Sequence, residues 1–477
     1  MSLSRLLAEY AINTPAGEVT SAARETGKKA ILDAVGVSIA AWNAPGIPGV
    51  HEQMTQWGGA REASALVYGT QLPAPHAAFL NSVMAHAWDY DDLHDPAGLH
   101  LSCVLLPVGL ATGERLGASG QDVLVAIILG FEVACRIGLP FNQRRGGGPG
   151  LWWLPTSVIG GFGATLAACR LLGLSVDQAV HALGINYAQA GGNRQALLEK
   201  TLTKRMQPAF AARNALWAAS LAAQGLTGPE DVFEGEAGLF RVFINAQPPT
   251  PQEVMKKKPG DPFEIERNSI KKFTSCGHAH PLTQAAIELG REHHFQRQDL
   301  REVVICTQSG PHGENLTDRP FRLRNNPNPQ VEAQFSSAYG VAVGLLRGKA
   351  GLAEFTNERV RQDTEVAQLA EQIRIVSHLP DMPEVERIHD DFPDHVDKPH
   401  VLIVRTADGR ELRKVSTIRS ILGPQAMNME TTIEKFHDCA RFSGICSEAK
   451  ASEIVAAVKR FEQFRRVSEF TALCALR

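Results

Sequence analysis

A chain of 477 residues is long enough for a large core and for two or three domains. Its 44% apolar and 21% charged residues are ordinary for a globular protein, and a net charge of -3 excludes a polycationic nucleic-acid surface or a basic membrane anchor. Eight scattered cysteines without a CxxC pair argue against a zinc ribbon or a disulfide scaffold and point to a reducing compartment. The N-terminal residues Met1 to Glu9 hold no signal-peptide core. The longest apolar run, Val123 to Val133, is broken by Gly130 and Glu132, so a cytoplasmic protein without a membrane span is expected.

Helical periodicity predicts helices over residues 4–12 and 20–42, the second carrying Ala23, Ala30, Ile31, Val35 and Ile39 on one side. A short extended segment is expected over 62–70. Helices over 75–86, 102–116 and 121–138 follow, then a mobile loop, Gln143 to Gly150, with an arginine placed to bind an anion. Residues 156–172 read as a small-residue helix that a neighbour can approach closely, followed by helices over 175–190 and 207–224. Pro259-Gly260-Asp261-Pro262 reads as a linker. Beyond it the texture changes. Strands are expected over 302–307, 372–376, 400–406 and 411–417, the last two as a hairpin around Asp408-Gly409, with helices over 281–292 and 332–348. Residues 423–474 return to helix. The predicted fold is therefore mainly α, with an α+β part set into it.

The stretch from His86 to Pro107 crowds four carboxylates and three imidazoles between apolar flanks. Burying charge is costly, so a polar loop inside a core implies a use for it. Three further segments stand out. Lys200 to Pro208 puts Lys204 and Arg205 near a helix start, which suits an anionic substrate and, taken alone, equally suits a solvated basic turn. Lys271 to Pro281 carries Lys271, Cys276, His278 and His280 at the boundary between textures, where ligand pockets are favoured. Its Cys276-x-His278-x-His280 spacing also admits a metal, though no second ligand cluster matches it. Asn315 to Pro320 leads into Pro329–Ser336, which reads first as an ordinary capped helix start, with Arg319 as a carboxylate clamp the alternative.

Taken in order, these segments resemble the MmgE/PrpD family. The carrying residues are Asp89-Tyr-Asp91-Asp92 through His100; Pro155-Thr-Ser with Arg170 to Leu174; Lys204-Arg205 with Ala211-Ala-Arg213 and Gly225 to Pro229; Lys271, Cys276 and His280; and Glu332 to Ser336 with Tyr339. The resemblance implies a large all-helical domain built from residues 1–264 and the C-terminal helices of 419–477, with an α+β lid domain inserted over 265–418. It implies a homodimer that uses no cofactor and no metal and acts on a small carboxylate by proton chemistry. Asp89 becomes an orienting carboxylate, His100 and His280 acid/base groups, and Lys204 and Lys271 clamps or bases. Asp92, Arg205, Cys276 and Arg319 become substrate contacts.

Relative to the family's decarboxylase branch, four polar positions are Leu93, Leu154, Cys276 and Leu316 here, and the Asp89–His100 spacing is one residue longer. These replacements argue against cis-aconitate decarboxylation and against the exact methylcitrate reaction, and for a smaller or less charged substrate. The leading expectation is a lyase that removes water from a hydroxy di- or tricarboxylate. An isomerase or epimerase and a non-catalytic carboxylate binder are the alternatives.

Overall fold

The computed structural model describes residues 2–145, 148–255, 261–307, 316–323, 327–376, 379, 399–424 and 426–477. Parts of three segments singled out above, Gly146-Gly147, Pro259-Gly260 and Asn315, lie outside the described residues.

The first body is helical. Its elements are α1 (Leu3–Asn13), α2 (Ser21–Ala40), α3 (Ile47–Trp57), the short pair β1 (Ala63–Ser64) and β2 (Gln71–Leu72), α4 (Ala74–His86), α5 (Ser102–Leu116), α6 (Gly120–Arg144), α7 (Pro155–Leu171), α8 (Val176–Tyr187), α9 (Gln195–Leu198), α10 (Thr203–Ala223), α11 (Leu239–Ile244) and α12 (Pro251–Met255). Helices α4, α5 and α7 are apolar all round and are accordingly buried all round. The expected extended stretch over 62–70 shrinks to two paired residues. Helix α6 runs past the expected end at 138, through Pro140, because Pro140 and Phe141 are still buried.

Close approach decides the packing of α6 on α7. A Cβ on Gly163 would stand 2.2 Å from the Gly130 carbonyl oxygen, and one on Gly130 would stand 2.7 Å from that of Gly163. By length and composition α6 is apolar enough to cross a membrane, but 94% of that stretch is buried against protein. Length and composition alone do not make it a span.

The second body holds α13 (His280–His293), β3 (Leu300–Cys306), α14 (Pro329–Gln334), α15 (Ser337–Arg347), α16 (Asn357–Gln362), α17 (Thr364–Gln372), β4 (Arg374–Val376), β5 (His400–Thr406) and β6 (Glu411–Ser416). The sheet order is β4-β3-β5-β6, with β3–β4 parallel and the other pairs antiparallel. Alternation along the strands sends Val303, Ile305, Leu402 and Val404 to a core shared with α13, α15 and α17. Val304, Cys306, Val401 and Ile403 face a smaller cluster on the other side. The single helix expected over 332–348 is broken. Ser336 is extended, and its hydroxyl accepts from Tyr339 N to cap α15.

After α18 (Ile418–Leu422), the helices α19 (Met429–Ser443), α20 (Glu448–Lys459) and α21 (Val467–Leu473) return to the first core, against α2 and α5. Lys435 of α19 pairs with Asp33 of α2 at 2.6 Å and donates to the Tyr90 carbonyl at 2.6 Å. The tail therefore buttresses the polar loop after α4. The α6–α7 contact leaves no room for a methyl group. Gly163→Ala is expected to lower stability by about 3 kcal/mol or more, read from the denaturant midpoint; an unchanged midpoint would show that the two helices separate freely.

Candidate active site

The polar loop between α4 and α5 lies where the two bodies meet. Its backbone is stitched to the second body's first segment. Leu93 and Ser269 exchange hydrogen bonds at 2.8 and 2.9 Å, and the Trp88 carbonyl accepts from Thr274 Oγ1 and Gln334 Nε2, each at 2.6 Å.

Asp89 is the centre. It is buried and sits in the left-handed region, with φ of 50°. Such a backbone is uncommon for a residue other than glycine and costs about 1–3 kcal/mol. Lysines hold it there. Lys204, in the first turn of α10, ion-pairs with Asp89 Oδ1. Lys271 Nζ is 2.7 Å from Asp89 Oδ2 and 2.9 Å from the Asp89 carbonyl. Burial alone would raise the Asp89 pKa, but Lys204 and Lys271 together hold it well below the usual carboxylate range. Lys204 and Arg205 stand at the positive end of the α10 dipole, a placement that needs an anion opposite, and Asp89 supplies it.

Burial opposes the charge on Lys271, yet Asp89 and Asp91 raise its pKa. Of the two roles that the resemblance implied for Lys271, this geometry favours the cationic clamp over the base.

Three imidazoles surround this pair, and each is fixed differently. His86 has both nitrogens engaged: Nδ1 is 2.7 Å from Asp91 Oδ2, and Nε2 is 2.8 Å from Lys204 Nζ. A lysine donor at Nε2 places the proton on Nδ1. Burial, with Lys204 beside it and only partly offset by Asp91, pushes the His86 pKa down to about 4. His280 opens α13, is fully buried, and meets the Ser275 carbonyl at 3.3 Å through Nε2. Burial and Lys271 push its pKa down to about 3. His100 is the partly exposed one. Its Nδ1 donates to the Asp92 carbonyl at 2.8 Å and lies 3.5 Å from Asp91 Oδ2. A carbonyl only accepts, so the neutral ring carries its proton on Nδ1 and leaves the Nε2 lone pair open. Behind it, burial and the Asp91 charge raise Asp92 to about 7, against hydrogen bonds from Ser102 and Asn268.

The cavity beside this cluster is nearly closed, with room of about 10 Å³ for the centre of a water molecule, and is lined by His86, Asp89, Thr201, Lys204, Arg205, Val331, Gln334 and Phe335. Lys204 Nζ lies 4.8 Å from the centre of the Phe335 ring. Buried Arg205 donates to the Pro45 carbonyl at 3.0 Å. Next to Phe335 and Val331 an apolar patch gathers Leu316 and Leu197, with Leu154, Leu198, Leu202 and Cys276 against it. Three of the four positions that depart from the decarboxylase branch thus share one wall. The fourth, Leu93, packs with Ile418 and Leu422 in a separate cluster.

The predicted residues therefore divide. Asp89, Lys204 and Lys271 meet directly, with His100 and Asp92 beside them and Arg205 on the cavity. Cys276 lies in the apolar wall. His280 is sealed behind Lys271. Arg319 is exposed and makes no contact with the cluster among the described residues. The metal option dissolves, since His278 pairs with Asp318 at 3.1 Å while His280 turns to Ser275. His86, Asp91 and Cys103 do bring one ligand atom each within 4.8 Å of one another, but His86 and Asp91 already bond each other, and burial pushes the Cys103 thiol well above its usual pKa. His86, Asp91, Gln334 and Phe335 are site residues that the sequence reading did not assign.

A helical body, a smaller α+β body and a buried lysine–carboxylate–imidazole cluster at their junction define a two-body protein with an acid/base cleft. Residues 5–252 match the MmgE/PrpD N-terminal domain and residues 273–461 the MmgE/PrpD C-terminal domain, so the chain belongs to the MmgE/PrpD family. It is 31% identical to the cis-aconitate decarboxylase-like protein oryM of Aspergillus oryzae, over 63% of this chain and 64% of that protein. That match spans less than two thirds of the relative's length. It is 29% identical to a cis-aconitate decarboxylase of Aspergillus terreus over 73% of each chain. It is 28% identical to the mouse enzyme of that name, over 75% of this chain and 72% of the relative.

Two outcomes are expected. Asp89→Asn leaves two buried lysines without their counter-charge and should cost about 3–5 kcal/mol, read by denaturant unfolding; a change below 1 kcal/mol would mean that the lysines are held by other groups. The second concerns His280. Its folded pKa, about 3, lies below the ordinary histidine value of about 6.5, so between these values the unfolded chain binds the extra proton and stability rises with pH. Replacing His280 by Gln should lower the slope of stability against pH by about 1.4 kcal/mol per unit between pH 4.5 and 6. Equal slopes would show that His280 titrates like a solvated imidazole.

Proposed function

We propose that this protein is a cofactor-independent enzyme that builds or quenches negative charge on the carbon beside a carboxylate of a small di- or tricarboxylate, as a lyase of the dehydratase or decarboxylase type. The observation that carries this reading is the pairing of an open imidazole nitrogen, His100 Nε2, with lysines gathered on Asp89.

In the dehydration direction, His100 Nε2 takes the proton from the carbon next to the carboxylate. The imidazolium that forms has Asp91 Oδ2 3.5 Å from its Nδ1, which stabilises it. Lys204 and Arg205, at the first turn of α10, offset the charge that grows on the substrate carboxylate. The C–O bond then breaks, and the leaving hydroxide takes the proton from the His100 imidazolium to depart as water, which restores the neutral ring. In a decarboxylation, the same cations would take up the charge left by carbon dioxide, and His100, entering that reaction as the imidazolium with a solvent-derived proton on Nε2, would pass that proton to carbon. The names of the relatives support the second form, since the proteins of Aspergillus terreus and mouse are called cis-aconitate decarboxylases.

The relatives' substrate is not carried over unchanged. A wall of Leu154, Leu197, Leu316, Val331 and Phe335 offers no hydrogen bond from its side chains to a third carboxylate. We infer a substrate that turns an apolar segment to this wall.

Proton NMR in D2O, with malate, citrate, methylcitrate, cis-aconitate and iminodisuccinate, reads the chemistry directly. A lyase makes or consumes an alkene signal. Deuterium washing into the position beside a carboxylate without net conversion would replace the lyase with an isomerase. Lys204→Ala and His100→Ala should each cut turnover by about 10²–10⁴-fold with an unchanged circular dichroism spectrum. A protein that binds these acids, changes none of them, and loses only affinity in both variants would be a binder, and the enzymatic reading would fall.

A further inference from the structure

Two arginines near the apolar wall have no counter-ion among the described residues. Arg145 follows the end of α6, and Arg194 precedes α9. The segment between them in space is short. Gly150 packs on the Arg145 backbone, where a Cβ would stand 2.4 Å from the Arg145 carbonyl oxygen. Two and four residues on, the chain pairs with residues 192–194: Arg194 N donates to the Trp152 carbonyl at 2.8 Å, and Leu154 N donates to the Gly192 carbonyl at 3.1 Å. Both arginines therefore stand on one small platform, within electrostatic reach of each other.

Neither guanidinium has an acidic partner among the described residues. Arg145 Nη1 and Arg194 Nε are buried and make no hydrogen bond. Burial, reinforced by the neighbouring Arg194 charge, pushes Arg145 down to about 10, and burial lowers Arg194 as well. Two like charges, partly desolvated and with unfilled donors, are an unfavourable arrangement unless an anion completes it.

The position of the platform says which anion. Leu197 N donates to the Arg194 carbonyl at 2.9 Å, and its side chain packs against Leu316, Val331 and Phe335. Val331 and Phe335 in turn line the Lys204 cavity. Cys276, whose thiol is kept neutral by burial and by Asp89, packs against the same wall. The order is therefore acid/base cluster, apolar wall, arginine pair.

We propose that Arg145 and Arg194 form a second carboxylate subsite, which holds the far carboxylate of the substrate while its apolar middle lies along the Leu154–Leu316–Phe335 wall. Guanidinium forks suit a carboxylate because each presents two parallel donors. The proposal rests on the carboxylate reading above and narrows it to a dicarboxylate with an apolar spacer.

Calorimetric titration of the full-length protein tests this, with glutarate and adipate set against valerate and hexanoate, which keep the chain length and lose one charge. The intact protein is expected to bind one of the dicarboxylates at least tenfold more tightly than its partner monocarboxylate. Arg145→Gln and Arg194→Gln should each erase most of that preference and leave monocarboxylate affinity within twofold. Arg145→Lys and Arg194→Lys guard against misfolding by keeping the charge, and should retain part of the preference. A preference that survives in both Gln variants, or equal binding of mono- and dicarboxylates to the intact protein, would overturn the subsite alone. Binding of none of the four acids would overturn the carboxylate reading and the subsite with it. If the Gln variants changed the size-exclusion mass and not ligand affinity, the missing anion would belong to a second copy of the chain, and the proposal would fail.

Discussion

The ion pairs of Asp89 with Lys204 and Lys271 are the constraint on which the rest of the site depends. None of the three side chains can be removed from water cheaply by itself. Asp89 lies on the loop after α4, Lys204 on α10, and Lys271 on the segment that leads into the second body. Charge neutralisation therefore occurs only when the helical body and the α+β body are in register. The left-handed backbone at Asp89 follows from the same demand, because Lys271 grips both its carboxylate and its carbonyl. Lys435, reaching from the C-terminal helix α19 to the Tyr90 carbonyl, fixes the next residue of the loop. The site belongs to three separate stretches of sequence and to neither body alone.

Once that charge pair is in place, the imidazoles acquire different roles without any difference in residue type. His86 is saturated by Asp91 on one side and Lys204 on the other, so it transmits position. His280 is sealed under the Lys271 segment, where charging it would oppose both burial and a neighbouring lysine. His280 also engages only one nitrogen, but its other nitrogen is buried, whereas His100 is partly exposed, with Nδ1 engaged and Nε2 on the accessible side. Asp91 serves two rings with one oxygen, which couples the rigid histidine to the open one. Tautomer and access, set by backbone carbonyls and burial, separate the sealed histidines from the accessible one.

Much of this was legible in the sequence, for physical reasons that differ by feature. The helices of the first body announce themselves because a fully buried helix must be apolar or small on every side, as α7 is. The β5–β6 hairpin is legible because Asp408-Gly409 supplies the turn its strands require. The break at Ser336 escaped because apolar periodicity continues across it, while the capping hydroxyl that stops the helix is a single atom. At the site, Asp89, Lys204 and Lys271 stand out as charge inside apolar flanks. His86 did not, because its meaning depends on Lys204, 118 residues away. Arg319 misled for the opposite reason, since a charge near a turn looks the same in sequence whether it faces a cleft or water.

The replacements that set this chain apart from the decarboxylase branch gain a common meaning from their placement. Leu154, Cys276 and Leu316 are remote in sequence, yet they converge on one side of the cavity with Phe335. A carboxylate pressed against such a surface would lose its water and gain no donor in return, a penalty of roughly 1–3 kcal/mol or more for each unsatisfied group. Discrimination between acids then arises as much from the cost imposed on the wrong one as from contacts offered to the right one. A methylene chain pays no such penalty on the same surface. On the proposed reading, the wall and the cations at either end of it select by the spacing of charge along the substrate, and Lys204 with Asp89 decides which end is placed beside His100.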